Sequence, residues 1–148
     1  GLREYFAGLE NAEIVATASA DSNIESAESK AAELLQKYPE INALIGLNEW
    51  TTLGVGAAVK KAGAAGKIKT VGFDTNTVSV GMLETGEMGA LIVQNPFAMG
   101  YLSVKKAAEL KNGEQPGEEA IYTAVTAVKK ENMYDPDIQK ILFSFKKG

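Results

Sequence analysis

One arrangement occurs four times in this chain and limits what it can fold into: an apolar run, then a polar side chain, then a helical pattern. The apolar runs are Ile14–Ser19, Ala43–Leu47, Thr70–Phe73 and Ala90–Val93, and the polar residues that follow them are Asp21, Asn48, Asp74 and Gln94. Continuous apolar runs are typical of buried parallel strands, and α/β sheets bind ligands beyond the carboxyl ends of their strands. The sequence therefore predicts that these polar residues share one rim of a sheet, which is the candidate site.

Helical patterns separate the predicted strands. Helices are predicted over residues 2–9, 24–37, 50–62, 78–85, 97–111 and 138–145, and a fifth strand over Ile121–Val128. Ser22 precedes Glu25 by three residues, so we expect a capping box where the first long helix begins. Strands alternating with helices favour right-handed crossovers. The predicted fold class is α/β: a doubly wound, mostly parallel sheet of about five strands with helices on both faces, in one domain over residues 1–148.

Composition excludes several functions. The chain has 148 residues, enough for one folded domain, and a formal net charge of −4, so a nucleic-acid partner is not expected. It contains neither cysteine nor histidine, which excludes disulfides and thiolate metal sites and removes the commonest general base. No apolar stretch approaches the roughly 20 residues of a membrane helix. Leu2–Phe6 has the pattern of a helix interior, so we expect a further segment upstream.

Each polar residue at the predicted rim has an alternative interpretation. Asp74 and Asn48 can form an Asx turn or cap the next helix, and Asp21 can belong to the cap of the helix that follows it. Gln94 is harder to explain in this way, because glutamine is a poor cap. Trp50, the only tryptophan, can stack on a ligand or cover the sheet edge.

Motifs for cofactors and catalysis are weak. The segment Gly54–Val59 resembles a dinucleotide fingerprint, but its third glycine position is Val59 and it lies inside a helix. Gly63–Lys67 lacks the spacing of a phosphate loop, and no serine-nucleophile elbow occurs. Asp21 and Asp74 could hold Mg²⁺, but the other residues at the rim are amides. We therefore expect no cofactor, no metal and no enzymatic activity. A rim of carboxylates and amides suits a neutral, hydroxyl-rich ligand.

The segments that carry a family resemblance are Asn48–Gly54, Ile68–Asp74, Gly89–Pro96 and the helix end at Lys111–Glu114. Together they resemble the C-terminal half of a periplasmic sugar-binding protein of the ribose-binding type. The resemblance implies two lobes that close on a sugar, with Asn48, Asp74 and Gln94 as contacts, and a membrane ABC permease that receives it. It also implies an extracytoplasmic location, in the periplasm or as a lipoprotein of a Gram-positive cell.

One departure from this family and the absence of its first lobe affect the expectations. The family's stacking aromatic and nearby arginine correspond to Ser22 and Ile24, so the sugar is not necessarily ribose and a pentose, hexose or related polyol is expected. The resemblance also implies that residues 96–113 would pack on an N-terminal lobe that this chain lacks, so either self-association of the isolated chain or redocking of this helix is expected. The alternative is the effector domain of a LacI-type transcription regulator, and a third interpretation is an enzyme of flavodoxin-like architecture.

Overall fold

Helices and strands alternate along most of the chain. The computed structural model describes residues 1–115, 117 and 120–143. In these residues the helices are α1 Leu2–Ala7, α2 Ile24–Lys37, α3 Glu49–Lys61, α4 Thr77–Thr85, α5 Pro96–Lys111 and α6 Pro136–Leu142, and the strands are β1 Ala43–Ile45, β2 Lys69–Phe73, β3 Ala90–Val93 and β4 Thr126–Val128. None of these helices is both long enough and apolar enough to cross a membrane. Residues 144 and 145 of the predicted last helix lie outside the described residues.

The strands form one sheet in the order β1–β2–β3–β4. The β2 strand pairs in parallel with β1 on one side and with β3 on the other, and β4 is antiparallel to β3. Within this register Gly72 lies beside Leu91, and Leu91 lies beside Val128, so these residues share one face of the sheet. The mostly parallel sheet with interspersed helices confirms the predicted fold class.

The core lies on that face of the sheet. Leu91, Val128 and Val59 have no exposed surface, and Leu83 of α4 is 1% exposed. The α3 helix contacts β1 and β2, α4 contacts β3, and α2 packs along α3. Burying each large aliphatic side chain contributes roughly 1.5–3 kcal/mol, so this layer fixes where the helices begin relative to the strand ends.

Asparagine caps four of the helices. Asn23, Asn48, Asn76 and Asn95 precede α2, α3, α4 and α5, and each side-chain oxygen accepts a hydrogen bond from a backbone N–H of the first helical turn. Asparagine is among the preferred N-cap residues because its carbonyl satisfies N–H groups that have no partner within the helix. Because α3, α4 and α5 each begin just after a strand, their polar caps lie at the carboxyl edge of the sheet.

Two predicted strands differ from the structure. Ile14–Ser19 is not a strand, and the fifth predicted strand, Ile121–Val128, is reduced to β4, so the described sheet has four strands rather than about five. Side chains of residues 11–17 do alternate between exposed and half-buried, the period of a strand. Among the described residues, however, no backbone group of residues 10–19 bonds to another backbone group. The run has strand character, but in the described part of the chain no strand pairs with it.

The start of α2 also differs from the prediction. The N-cap is Asn23, whose Oδ1 accepts a hydrogen bond from the Ser26 backbone N–H at 2.8 Å, and neither Ser22 nor Asp21 caps the helix. Asparagine and serine are comparable caps, so the sequence spacing alone could not choose between neighbouring residues. The shift releases the Ser22 side chain for another contact, which lies at the predicted rim.

Candidate ligand-binding site

Asn48, Asp74 and Gln94 follow β1, β2 and β3, three neighbouring parallel strands, and therefore lie at the same edge of the sheet. All three residues are half-buried. The amide of Gln94 donates a hydrogen bond from Nε2 to Oδ1 of Asp74 at 2.7 Å. The structure therefore brings two of the predicted site residues into direct contact and places the third at the adjacent strand end.

Asp74 has a left-handed backbone conformation, with φ of 64°. This conformation is uncommon for residues other than glycine, although aspartate and asparagine adopt it several-fold more often than most. The backbone N–H of Asp74 still donates to the carbonyl of Ile92 at 3.0 Å, which ties it to the end of β3. The chain thus turns away from the sheet at Asp74 while the residue stays attached to the neighbouring strand.

Asn48 is the cap of α3, as its alternative interpretation proposed. Its Oδ1 accepts hydrogen bonds from the backbone N–H and the hydroxyl of Thr51, both at 2.9 Å. Its Nδ2 donates to the hydroxyl of Ser22 at 2.9 Å. A primary amide carries two N–H groups, so capping and the contact with Ser22 leave one donor. Capping and ligand binding are therefore compatible at this residue.

Asp21 and Ser22 form a strained turn beside Asn48. Both have positive φ, 50° and 52°, and both are exposed. The Ser19 hydroxyl donates to Oδ1 of Asp21 at 3.0 Å. Consecutive left-handed residues other than glycine cost of order 1–3 kcal/mol each and cluster at binding sites. The structure thus places Asp21 next to the rim through Ser22, but no hydrogen bond in the described part of the chain joins its carboxylate to Asn48, Asp74 or Gln94.

Trp50 lies in the first turn of α3, two residues after Asn48, and 47% of its surface is exposed. Among the described residues the only close pair of aromatic rings is Tyr5 with Phe6. In the described part of the chain, Trp50 therefore does not stack on another aromatic ring. Its ring remains accessible from solvent near the rim.

Glu49 and Asn76 belong to the same edge but were not predicted as site residues. Asn76 donates from Nδ2 to Oε1 of Glu49 at 2.6 Å, which links the start of α4 to the start of α3. The Oδ1 of Asn76 accepts from the backbone N–H groups of Val78 and Ser79. The signal available in the sequence was the three-residue spacing from Asn76 to Ser79, which is typical of a cap.

Two further features limit the chemistry of the rim. The described residues contain no group of three or more acidic side chains that could hold a metal ion. A groove of about 620 Å³ lies between α1 and residues 12–17, and none of the predicted site residues lines it. The carboxylate and amides at the strand ends, rather than this groove, carry the chemistry suited to a polar ligand.

The fold and the rim are typical of α/β proteins whose ligands lie at the carboxyl edge of a parallel sheet. Residues 1–115 match the family described as periplasmic binding protein domain. The D-allose-binding periplasmic protein of Escherichia coli (strain K12) is 34% identical over 105 residues, which are 71% of this chain and 34% of that protein. The chain belongs to the periplasmic binding protein family.

Other proteins that resemble this chain also bind sugars. The D-ribose/D-allose-binding protein of Pseudomonas aeruginosa is 31% identical over 106 residues, 72% of this chain and 33% of that protein. A carbohydrate transporter solute binding protein from Agrobacterium radiobacter, solved with D-arabinose, matches with a TM-score of 0.78 and 31% identity over 88% of this chain and 44% of that one. An Agrobacterium vitis solute binding protein bound with α-D-tagatopyranose matches with a TM-score of 0.81 and 28% identity over 88% of this chain and 43% of that one. The chain spans about a third of the length of these curated relatives.

Proposed function

We propose that this chain is the C-terminal lobe of a two-lobed extracytoplasmic receptor that binds a sugar for uptake through an ABC permease. The observation that carries this proposal is the hydrogen-bonded pair of Asp74 and Gln94 at the ends of adjacent parallel strands. Names of relatives that mention allose, ribose and arabinose support a carbohydrate as the ligand class. The same relatives favour a transport receptor over the effector domain of a LacI-type regulator.

The two side chains suit adjacent hydroxyl groups. Within the described part of the chain, Oδ2 of Asp74 and the side-chain carbonyl of Gln94 make no other hydrogen bond, so both can accept from sugar hydroxyls. An ionised carboxylate makes stronger hydrogen bonds than a neutral acceptor does. The spare N–H of Asn48 adds a donor from the neighbouring strand end. This arrangement recognises a polyol and leaves its covalent bonds intact.

The ring of Trp50 complements these polar groups. Sugars present apolar C–H faces as well as hydroxyls, and an accessible aromatic ring can cover such a face. Trp50 is close in sequence to Asn48 and half-exposed at the start of α3. In the proposed complex its ring packs on the sugar, while Asp21 contributes from the turn at the edge of the site. The ligand is a pentose, a hexose or a related polyol.

The α5 helix forms the contact with the N-terminal lobe in this proposal. None of its 16 residues is buried, although it carries several large apolar side chains. The exposed ones are Phe97, Met99, Tyr101, Val104 and Leu110. An unpartnered apolar surface of this kind marks an interaction site. Residues 96–113 would pack on the N-terminal lobe, and two copies of the isolated chain would associate through the same helix.

Titration calorimetry tests the proposal with the full gene product and with the 148-residue chain, against a panel of pentoses, hexoses and inositols. We expect the full protein to bind at least one sugar with micromolar or tighter affinity, because cleft closure surrounds the ligand. The isolated chain should bind the same sugar roughly 100-fold more weakly or worse, since half of the hydrogen bonds are missing. Binding by the isolated chain within about tenfold of the full protein's affinity would refute the half-site, and absence of sugar binding by the full protein would refute the receptor.

A further inference from the structure

Thr52 of α3 has an unusual pair of hydrogen bonds to one residue of β2. Its side chain is fully buried. The hydroxyl donates to the carbonyl of Phe73 at 3.0 Å and accepts from the backbone N–H of the same residue at 2.8 Å. Thr52 itself has no surface on which a ligand could rest. Any part it plays in binding must therefore act through the residues that it holds.

The Thr52 hydroxyl continues the hydrogen-bond ladder beyond the end of β1. The last bond between β1 and β2 runs from the Gly46 N–H to the carbonyl of Val71 at 2.9 Å. Phe73 lies two residues further along β2, so its N–H and C=O point to the same side as those of Val71. The chain has already left the sheet for α3 at that level. Thr52 satisfies both backbone groups of Phe73 in place of another strand residue.

Two glycines allow α3 to come this close to the sheet. A Cβ at Gly46 would lie 2.7 Å from the backbone nitrogen of Thr52, and a Cβ at Gly72 would lie 2.3 Å from its Cγ2. Both distances are shorter than real Cβ contacts, so any side chain at these positions would push α3 away. The close approach of α3 to β2 therefore depends on the missing side chains of Gly46 and Gly72 as well as on Thr52.

Thr52 is bonded to both sides of the candidate site. Its backbone N–H donates to the carbonyl of Asn48 at 2.9 Å, the first hydrogen bond within the helix that Asn48 caps. Its hydroxyl fixes Phe73, the residue directly before Asp74. We propose that the buried Thr52 hydroxyl is a positioning group that sets the carboxylate of Asp74 relative to the amide of Asn48. This inference rests on the proposed function, because it concerns the same sugar site.

Thr70 provides a matched control in β2, the strand to which the Thr52 hydroxyl is bonded. It is 2% exposed, and its hydroxyl also makes two backbone hydrogen bonds, donating to Glu87 at 3.0 Å and accepting from Gly89 at 2.8 Å. These bonds lie near the opposite, amino-terminal end of β2. Thr70→Val and Thr52→Val therefore each remove a buried hydroxyl with two backbone partners. Only the Thr52 variant removes it next to Asp74.

The first test needs no sugar and uses nuclear magnetic resonance on the 148-residue chain. In Thr52→Val we expect the Phe73 amide to exchange with solvent roughly tenfold faster and the side-chain amide signals of Gln94 to shift, since Gln94 is bonded to Asp74. Thr52→Ser, which keeps the hydroxyl, should restore both, and Thr70→Val should change neither. Unchanged Gln94 signals in Thr52→Val, or an equal shift in Thr70→Val, would overturn the proposal. If Thr52→Val does not fold, Thr52→Ala, which adds no bulk, is judged by the same criteria.

The second test measures sugar affinity in the full gene product. Thr52→Val should weaken binding roughly tenfold, because a displaced carboxylate loses hydrogen bonds to the ligand. Thr52→Ser and Thr70→Val should stay within about twofold of wild type. Equal affinity of Thr52→Val and wild type would overturn the positioning role. If the wild-type protein binds no sugar, the proposed function fails, whereas the resonance experiment still decides whether Thr52 positions Asp74.

Discussion

The side-chain amide of Gln94 donates a hydrogen bond to the carboxylate of Asp74 at 2.7 Å, across the carboxyl ends of two neighbouring parallel strands. The bond connects residues 20 positions apart in the sequence. It holds one carboxylate oxygen and one amide N–H in fixed positions and leaves the remaining polar atoms of both groups for a ligand. A receptor gains affinity from such prior ordering, because less side-chain freedom is lost when the ligand binds.

Asp74→Asn tests the carboxylate at this site. Replacing an ionised acceptor by a neutral amide should weaken sugar binding by the full protein by about 10- to 100-fold, since hydrogen bonds to charged groups contribute about 1.5–3 kcal/mol. Asp135→Asn is the control, because Asp135 precedes α6 and its side chain makes no capping hydrogen bond. Calorimetry measures both. Equal affinity of Asp74→Asn and wild type would remove Asp74 from the site.

Asn48 caps α3, and different substitutions separate this cap from its proposed role in sugar binding. Asn48→Ala removes the cap and should lower the free energy of unfolding by about 1 kcal/mol. Asn48→Asp keeps an acceptor for the cap but loses the amide donors, so its stability should stay within about 0.5 kcal/mol of wild type while its sugar affinity falls roughly tenfold. Chemical denaturation and calorimetry give the two quantities. The control is Asn23→Asp, at the cap of α2, which should change neither stability nor sugar affinity. Wild-type sugar affinity in Asn48→Asp would show that Asn48 only caps α3.

Trp50 offers an optical test because it is the only tryptophan in the chain. Sugar binding to the full protein should change the tryptophan fluorescence, and this change should be reduced in Trp50→Phe. Trp50→Ala should weaken binding by about threefold to tenfold, as expected for losing an aromatic packing surface, and Trp50→Phe should restore most of it. Because 47% of the residue is exposed, stability should change by no more than about 0.5 kcal/mol. A Trp50→Ala protein with unaltered affinity would show that the ring only covers the sheet edge.

The sequence predicted those parts of the fold that depend on local patterns. The strands β1, β2 and β3 and the helices between them agree with prediction, because each apolar run is followed within two residues by an asparagine or aspartate that starts a turn or a cap. Ile14–Ser19 has an equally good strand pattern, yet it forms no strand in the structure. Strand formation requires hydrogen bonds to a neighbour, and the presence of that neighbour is not encoded in the run itself.

The grouping of the polar residues was predictable to a similar extent. Asn48, Asp74 and Gln94 lie at one edge, as predicted, because the carboxyl ends of parallel strands meet there. Thr52 was missed, since a threonine within a helix carries no sign that its hydroxyl reaches a strand. Its contact depends on how closely α3 approaches β2, and packing rather than periodicity decides that distance.

Glu87 makes stability depend on pH. Glu87 is 5% exposed; a hydrogen bond from the Thr85 hydroxyl lowers the pKa of its carboxyl group below the ordinary value of 4.5, and Lys60 Nζ at 3.6 Å lowers this pKa further. A lowered pKa in the folded state stabilises the protein above pH 4.5, and this contribution is lost as the pH falls through the folded-state pKa. Chemical denaturation between pH 6 and pH 3 should therefore show declining stability. The decline should be smaller in Glu87→Gln than in wild type, whereas the control variant Glu33→Gln should decline as much as wild type. A decline in Glu87→Gln equal to that of wild type would contradict the role of Glu87.

The exposed face of α5 predicts how the isolated chain behaves in solution. Phe97 and Val104 are 78% and 73% exposed and lie seven residues apart, so they share one side of the helix. Sedimentation velocity should show self-association of the 148-residue chain, and the double variant Phe97→Ser with Val104→Ser should shift it toward monomer and reduce the binding of a hydrophobic dye. Tyr122→Ser is the control, because Tyr122 is 93% exposed outside α5 and its loss should leave association unchanged. A wild-type chain that sediments as a monomer and binds no dye would mean that α5 is covered in another way.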